Sequence, residues 1–403
     1  MTWSPRSGTP QDEEIRQSIS AAASFSTDSL KKAYAEAGAT SLEFSERLLL
    51  RHVLIVGATG SGKTNHAFHV IQKAMDRPET RCFVIDVKKE YRRLADVMQL
   101  RVKILAIGDE PKARFNPLAP PRGVSTDLWD RAFTDIFTRA YGLAEPSRRI
   151  ILDSLTALRD GSRVQPTLRE LERKVAGFEA KSGKEQGSLR STESRLHLIN
   201  SGPLGESLNS EETFDPDPLE RVTIFEIGRI DFLHDQRFLA ELVLMQMWQK
   251  DKANPPDAGE TLRRFIVVEE AHRYLSEERP PEQRGNRTLL ELAIAEARRY
   301  GWGFLVIDQM PLLLSRYVWD NAGTILVHRL ANLESYRHVK EALGGVPISQ
   351  KDYELEYPIA LRLPEDLAIF RRYVNSGMKI MAVGLTKVYL AEYTSSRIHH
   401  VKD

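Results

Sequence analysis

The sequence predicts an α/β protein, a doubly wound and mostly parallel sheet with a helical insertion. Three observations carry that prediction. Short, wholly apolar runs recur along the chain, which is the pattern of strands buried on both faces of a parallel sheet. Most of these runs are separated by segments of helical period, the β–α alternation of a doubly wound fold. The alternation lapses over about 127–208, where the chain reads almost entirely helical.

The first fifty residues are unlike the rest. Pro5, Gly8 and Pro10 make a loose start, and two short helical stretches (13–23 and 28–37) rich in Ala, Ser and charge read as a docking arm or tail. From His52 the character changes, and 51–403 reads as one α/β domain. The first strand, 53–56, runs into a glycine, and further strands are expected at 82–85, 102–105, 222–225, 265–268, 304–307 and 324–327. Within the insertion, Pro146, Pro166 and the Gly/Ser/Lys-rich stretch 181–188 read as breaks, the last of them a loop. Segments 380–383 and 388–391 read as a terminal hairpin, and no internal repeat is seen.

Composition bounds the function. At 41% hydrophobic and 28% charged over 403 residues, the chain is neither disordered, collagen-like nor a disulfide scaffold. Lys+Arg (57) nearly balances Asp+Glu (56), so any nucleic-acid binding must come from a local groove or a ring of subunits rather than a global basic field. The single cysteine, Cys82, excludes a disulfide framework and points to a reducing compartment. No run approaches the roughly 18 apolar residues of a membrane span. Residues 1–12 are polar and read as no signal peptide, so the expected setting is cytoplasmic, without membrane partners.

Gly57-Ala58-Thr59-Gly60-Ser61-Gly62-Lys63-Thr64 matches G-x-x-x-x-G-K-[ST]. Its glycines let successive backbone N–H groups turn inward on phosphate oxygens. A helix expected from Lys63 to about Met75, stopped near Pro78, adds its positive N-terminal end, with Asn65 in its first turn. Lys63 is placed to reach the β- and γ-phosphates and the Thr64 hydroxyl to ligate Mg²⁺, so ATP and Mg²⁺ are the expected ligands. The strand at 265–268 runs straight into Glu269-Glu270-Ala271-His272. Carboxylates at a strand's C-terminal end lie where a doubly wound sheet holds its ligand. Glu269 is the candidate for the metal shell, through water, and Glu270 for polarising the attacking water. The spaced pairs His66/His69 and His399/His400 lack a third ligand and read as ordinary histidines.

With these motifs placed, the chain resembles the HerA/FtsK superfamily of P-loop DNA-translocating ATPases over roughly 51–385, the HerA branch most of all. Further stretches carry the resemblance: Asp86-Val87-Lys88-Lys89-Glu90-Tyr91, Asn116-Pro117-Leu118, Glu269 to Leu275, and Glu296-Ala297-Arg298-Arg299-Tyr300-Gly301 followed by the strand ending in Gln309. The resemblance implies a RecA/FtsK-like P-loop fold and a homohexameric ring that hydrolyses ATP between subunits while moving double-stranded DNA. It also implies a partner, a nuclease (NurA-like) or a defence effector. The same core serves viral genome packaging and conjugative coupling, and a regulatory ATPase scaffold is a reading of a different class. Two departures stand out: no β-barrel stretch precedes the core, and Glu269 occupies a position more often held by Asp.

Several residues keep two readings. Asp86 reads as a metal-shell residue beside the phosphate-loop strand, or as a cap of the next helix. Gln309 resembles a γ-phosphate sensor, or is an ordinary loop residue. Arg298 and Arg299 are candidates for an arginine donated to a neighbour's site, with Arg51 a third. For DNA phosphates the candidates are Lys88, Lys89, Arg92 and Arg93, and then the loop with Lys181, Lys184 and Arg190.

Overall fold

The computed structural model describes residues 44–98, 101–110, 112–160, 165–212, 214–215, 220–255, 261–276, 288–342, 367–373 and 381–387. The expected N-terminal helices at 13–23 and 28–37, His399 and His400 lie outside them. Each expected apolar run is a strand: β1 (Val53–Val56), β2 (Arg81–Asp86), β3 (Val102–Ala106), β4 (Val222–Glu226), β5 (Arg264–Glu269), β6 (Trp302–Asp308) and β7 (Thr324–Val327). These seven are all parallel, and β8 (Leu367–Tyr373) and β9 (Met381–Lys387) add an antiparallel edge, in the order β3-β4-β2-β5-β6-β1-β7-β8-β9.

The apolar runs are explained by cover on both faces. On β1, Val53 and Ile55 pack with Ala67, Phe68, Val70 and Ile71 of helix α2 (Lys63–Met75), which follows the short α1 (Glu46–Leu49). Leu54 and Val56 point the other way, into a core shared with the helices of the opposite layer. Strand β1 lies between β6 and β7, and α2 carries the chain past β6 and β5 to β2. The phosphate loop therefore leaves the sheet where the winding reverses, at the C-terminal ends of the strands.

After α3 (Leu94–Met98) and β3, five helices intervene before β4: α4 (Thr126–Ala140), α5 (Glu145–Arg159), α6 (Leu168–Ala176), α7 (Gly183–Ile199) and α8 (Gly202–Leu208). They are anchored on the sheet's helical cover. Phe133 and Phe137 of α4 meet Phe238 of α9 (Leu233–Ala253) edge-on, with ring centres 6.1 and 5.7 Å apart. Helices α10 (Leu289–Glu296), α11 (Arg316–Asn321) and α12 (Leu333–Ala342) complete the described set.

Two expectations are corrected. The stretch expected as a loop at 181–188 starts a helix: the Ser182 side chain accepts from the Glu185 N–H, and α7 then buries Leu189, Leu196 and Ile199. A good cap and an apolar stripe outweigh the cost of two exposed helical glycines, about 1 kcal/mol each. The terminal hairpin is also shifted. Met381–Lys387 pairs with Leu367–Tyr373, and the second expected segment, 388–391, lies outside the described residues.

One buried ion pair makes a stability prediction. Asp251 on α9 accepts from Arg264 Nε at 2.5 Å and Nη2 at 3.1 Å on β5, and from Trp302 Nε1 at 2.8 Å on β6. Asp251→Ala removes the carboxylate that pairs a buried guanidinium and an indole N–H. It should cost about 3–5 kcal/mol in urea unfolding, and a loss under about 1 kcal/mol would contradict that account.

Candidate nucleotide site

The phosphate loop is pinned on both sides by its neighbouring strands. The Gly57 N–H donates to Asp308 O at 3.2 Å and the Ala58 N–H to Arg329 O at 2.7 Å. At Gly57 an added Cβ would lie 2.7 Å from the Cβ of His328, so only glycine passes this close. Gly62, with φ at +88°, turns the loop into α2. Thr59 and Gly60 are exposed, Thr64 and Asn65 half-buried, and Ser61 is buried with no hydrogen-bond partner for its hydroxyl. Lys63 lies across the loop, its Nζ donating to Ala58 O at 2.8 Å. Burial first, and the nearby Lys88 ammonium second, bring its pKa down to about 8.

A histidine pair braces the loop from beneath. His328 Nδ1 lies 2.7 Å from Ser61 O, and a carbonyl only accepts, so that nitrogen carries the proton. His328 Nε2 then accepts from His66 Nδ1 at 3.0 Å. Both rings are buried, and that burial lowers His66 well below the usual range and His328 to about 4. His66 is thus a loop brace, as its ordinary reading allowed, and His328 is its partner.

Glu269 ends β5, and Glu270 follows in the left-handed region at φ +49°. Such a conformation in a non-glycine residue costs about 1–3 kcal/mol and is held by its surroundings. Both carboxyls are buried, and each keeps one oxygen (Oε2) without a hydrogen-bond partner. Burial pushes Glu269 up to about 8 although Lys88 opposes the shift. Lys88 Nζ contacts Glu270 Oε1 and lies 3.7 Å from Glu269 Oε1. His272 Nδ1 sits 3.0 Å from Asp308 Oδ2 and 3.6 Å from Glu270 Oε2. Gln309 is at the loop, its Oε1 accepting from the Thr59 hydroxyl at 2.7 Å.

Other expected residues are placed elsewhere. Asp86 is not beside the phosphate-loop strand, because β5 and β6 separate β2 from β1. Its carboxylate accepts from the N–H groups of Lys88 (2.9 Å), Lys89 (2.8 Å) and Tyr91 (3.0 Å), so it shapes its own loop and is withdrawn from the metal shell. Of that loop, Glu90 faces the site instead, its Oε2 accepting from the Thr64 hydroxyl at 3.1 Å. Of the basic cluster Arg93 is exposed, and the other three meet acids. Lys88 meets Glu269 and Glu270, Lys89 meets Asp109, and Arg92 is bidentate on buried Glu226 at 2.6 and 2.7 Å. These three are paired with acids rather than presented to DNA. Arg298 and Arg299 are exposed on the 3₁₀ turn that precedes β6, and Arg51 precedes β1. All three lie at the N-terminal edge of the parallel strands, opposite the phosphate loop, and none enters this chain's own site. Arg329, which follows β7, does, donating to Gly60 O at 3.1 Å.

The family model described as the central domain of the helicase HerA matches residues 39–246, more than half of the chain. The chain belongs to that family. As a HerA-family protein it is a P-loop ATPase. No curated protein matches it. Among solved structures, it resembles VirB4 of Thermoanaerobacter pseudethanolicus (TM-score 0.58, 16% identity, 79% of this chain and 86% of that one). It also resembles the plasmid coupling protein TrwB in complex with ADP and Mg²⁺ (TM-score 0.57, 13% identity, 91% and 93%). At these identities the likeness shows the P-loop ATPase fold.

The residues present fit ATP and Mg²⁺, the ligands of this HerA-family site. The loop has no room for a side chain at Gly57, the Ser61 hydroxyl is unspent, and two acidic oxygens at the strand end lack partners. Among the described residues no group of three or more His, Cys, Asp and Glu is arranged to hold a metal, and no helix is long and apolar enough to cross a membrane.

Proposed function

We propose that this HerA-family ATPase is a DNA-translocating motor that works as a ring of six subunits on double-stranded DNA.

 The observation that carries the reading is the acidic pair Glu269–Glu270 at the strand end beside the phosphate loop, with Gln309 on the same edge. On this reading Lys63 holds the β- and γ-phosphates, and Glu270 takes a proton from the attacking water. Thr64 and Glu269 would hold Mg²⁺, which when bound neutralises charge on the phosphates. Gln309 reads the γ-phosphate by hydrogen bonding.

The arginines at the opposite edge of the sheet favour a site completed by a neighbour. Arg298 or Arg299, with Arg51 as the third candidate, would reach the next subunit's nucleotide and stabilise transition-state charge there. With Lys88, Lys89 and Arg92 paired to acids, the exposed Lys184 and Arg190 on α7 become the better candidates for DNA phosphates. The partner such a motor would serve is a nuclease or a defence effector.

The test is the steady-state ATPase rate of the purified protein with and without linear duplex DNA. A motor turns over several-fold faster on duplex. A rate indifferent to DNA would sink the motor and leave the regulatory scaffold.

A further inference from the structure

Lys88 is placed where a cation is needed for another purpose. Its ammonium bridges the two carboxyls of the acidic strand end, touching Glu270 and standing 3.7 Å from Glu269. The loop that carries it is pinned through its backbone: Asp86 accepts three of its N–H groups, and Lys89 is held in the left-handed region at φ +60°. The side chain itself is 37% exposed, so its flexible stem has solvent to swing into. Its field extends across the site, since it is the second cause of the lowered proton affinity of Lys63.

We propose that Lys88 and the magnesium ion that Glu269 would hold compete for the acidic strand end, so that Lys88 is a resting counter-ion that must leave the acidic pair when the site is loaded. Two cations cannot share these carboxyls without strong repulsion at such separations. Lys88 neutralises a buried acidic pair that would otherwise be left unbalanced, and it restrains the site until metal and nucleotide arrive together. The inference rests on the nucleotide-site reading above and deepens it.

The experiment is an equilibrium titration of the full chain with a fluorescent N-methylanthraniloyl ADP, first in EDTA and then across a magnesium series. Wild type, Lys88→Met and Lys88→Arg are compared. In Lys88→Met the magnesium concentration giving half of the gain in affinity should fall about tenfold, the effect of removing one nearby charge. Binding in EDTA should weaken a few-fold, because a cation near the phosphates is gone, and its persistence shows that the variant is folded. Lys88→Arg keeps the charge and should follow wild type. An unchanged or raised half-saturation in Lys88→Met overturns the competition while leaving the nucleotide site standing. A wild type that binds no ADP in any condition overturns both.

Discussion

Glu270→Gln should lower the steady-state ATPase rate at least a hundredfold and leave ADP affinity within about threefold of wild type. A positioned general base contributes about 10²–10⁴ in rate. The substitution removes the base but keeps the side chain's size, its buried place and an oxygen for Lys88. The main chain there sits at φ +49°, and Gln tolerates that backbone no worse than Glu, so the loop geometry should persist. ADP binding depends chiefly on the phosphate loop and on Lys63, whose hydrogen bond to Ala58 the change leaves in place. Turnover measured beside ADP titration therefore separates chemistry from binding. If Glu270→Gln retained a tenth or more of the rate, the base would have to be sought elsewhere on the same edge, with Glu269 and Glu90 next in line.

The phosphate loop and the strands around it were legible because their information is local. A parallel strand covered on both faces must be apolar throughout, so β1, β5 and β6 show as unbroken runs, and the loop's glycines and Lys63 lie within eight consecutive residues. Strand β8 escaped notice because it lies toward the edge of the sheet and carries Arg371 and Arg372. The rest of the site is assembled across the chain: Thr64 meets Glu90, Ser61 meets His328, and Thr59 meets Gln309 only because parallel register brings strand ends together. A usable signal did exist for His328 and Arg329, which directly follow a recognisable strand, as Glu269 and Glu270 do. Lys88 had no such signal. A basic run in sequence reads as a surface, and only the Asp86 loop turns it toward the acids.

Lys63→Ala should weaken ADP binding at least a hundredfold, and the pH dependence of the wild type explains why. Burial brings the Lys63 pKa down to about 8, so the ammonium that phosphate requires is a minor form above that pH. Protonation and phosphate binding favour one another. The sign follows: affinity is flat below about pH 8 and falls by up to about tenfold per unit as the pH rises beyond it. Bound phosphate, in turn, raises the proton affinity of Lys63. Lys63→Arg keeps its charge throughout that range, so whatever affinity it has should not fall between pH 8 and 10. Lys63→Ala should be both weak and insensitive to pH. The titrations are run at fixed ionic strength from pH 7 to 10, with unfolding followed alongside to confirm that the fold persists. A wild-type affinity that does not change across this window would show that Lys63 keeps its proton without phosphate, and that the burial of its side chain is offset by the acids Glu270, Asp308 and Glu269 around it.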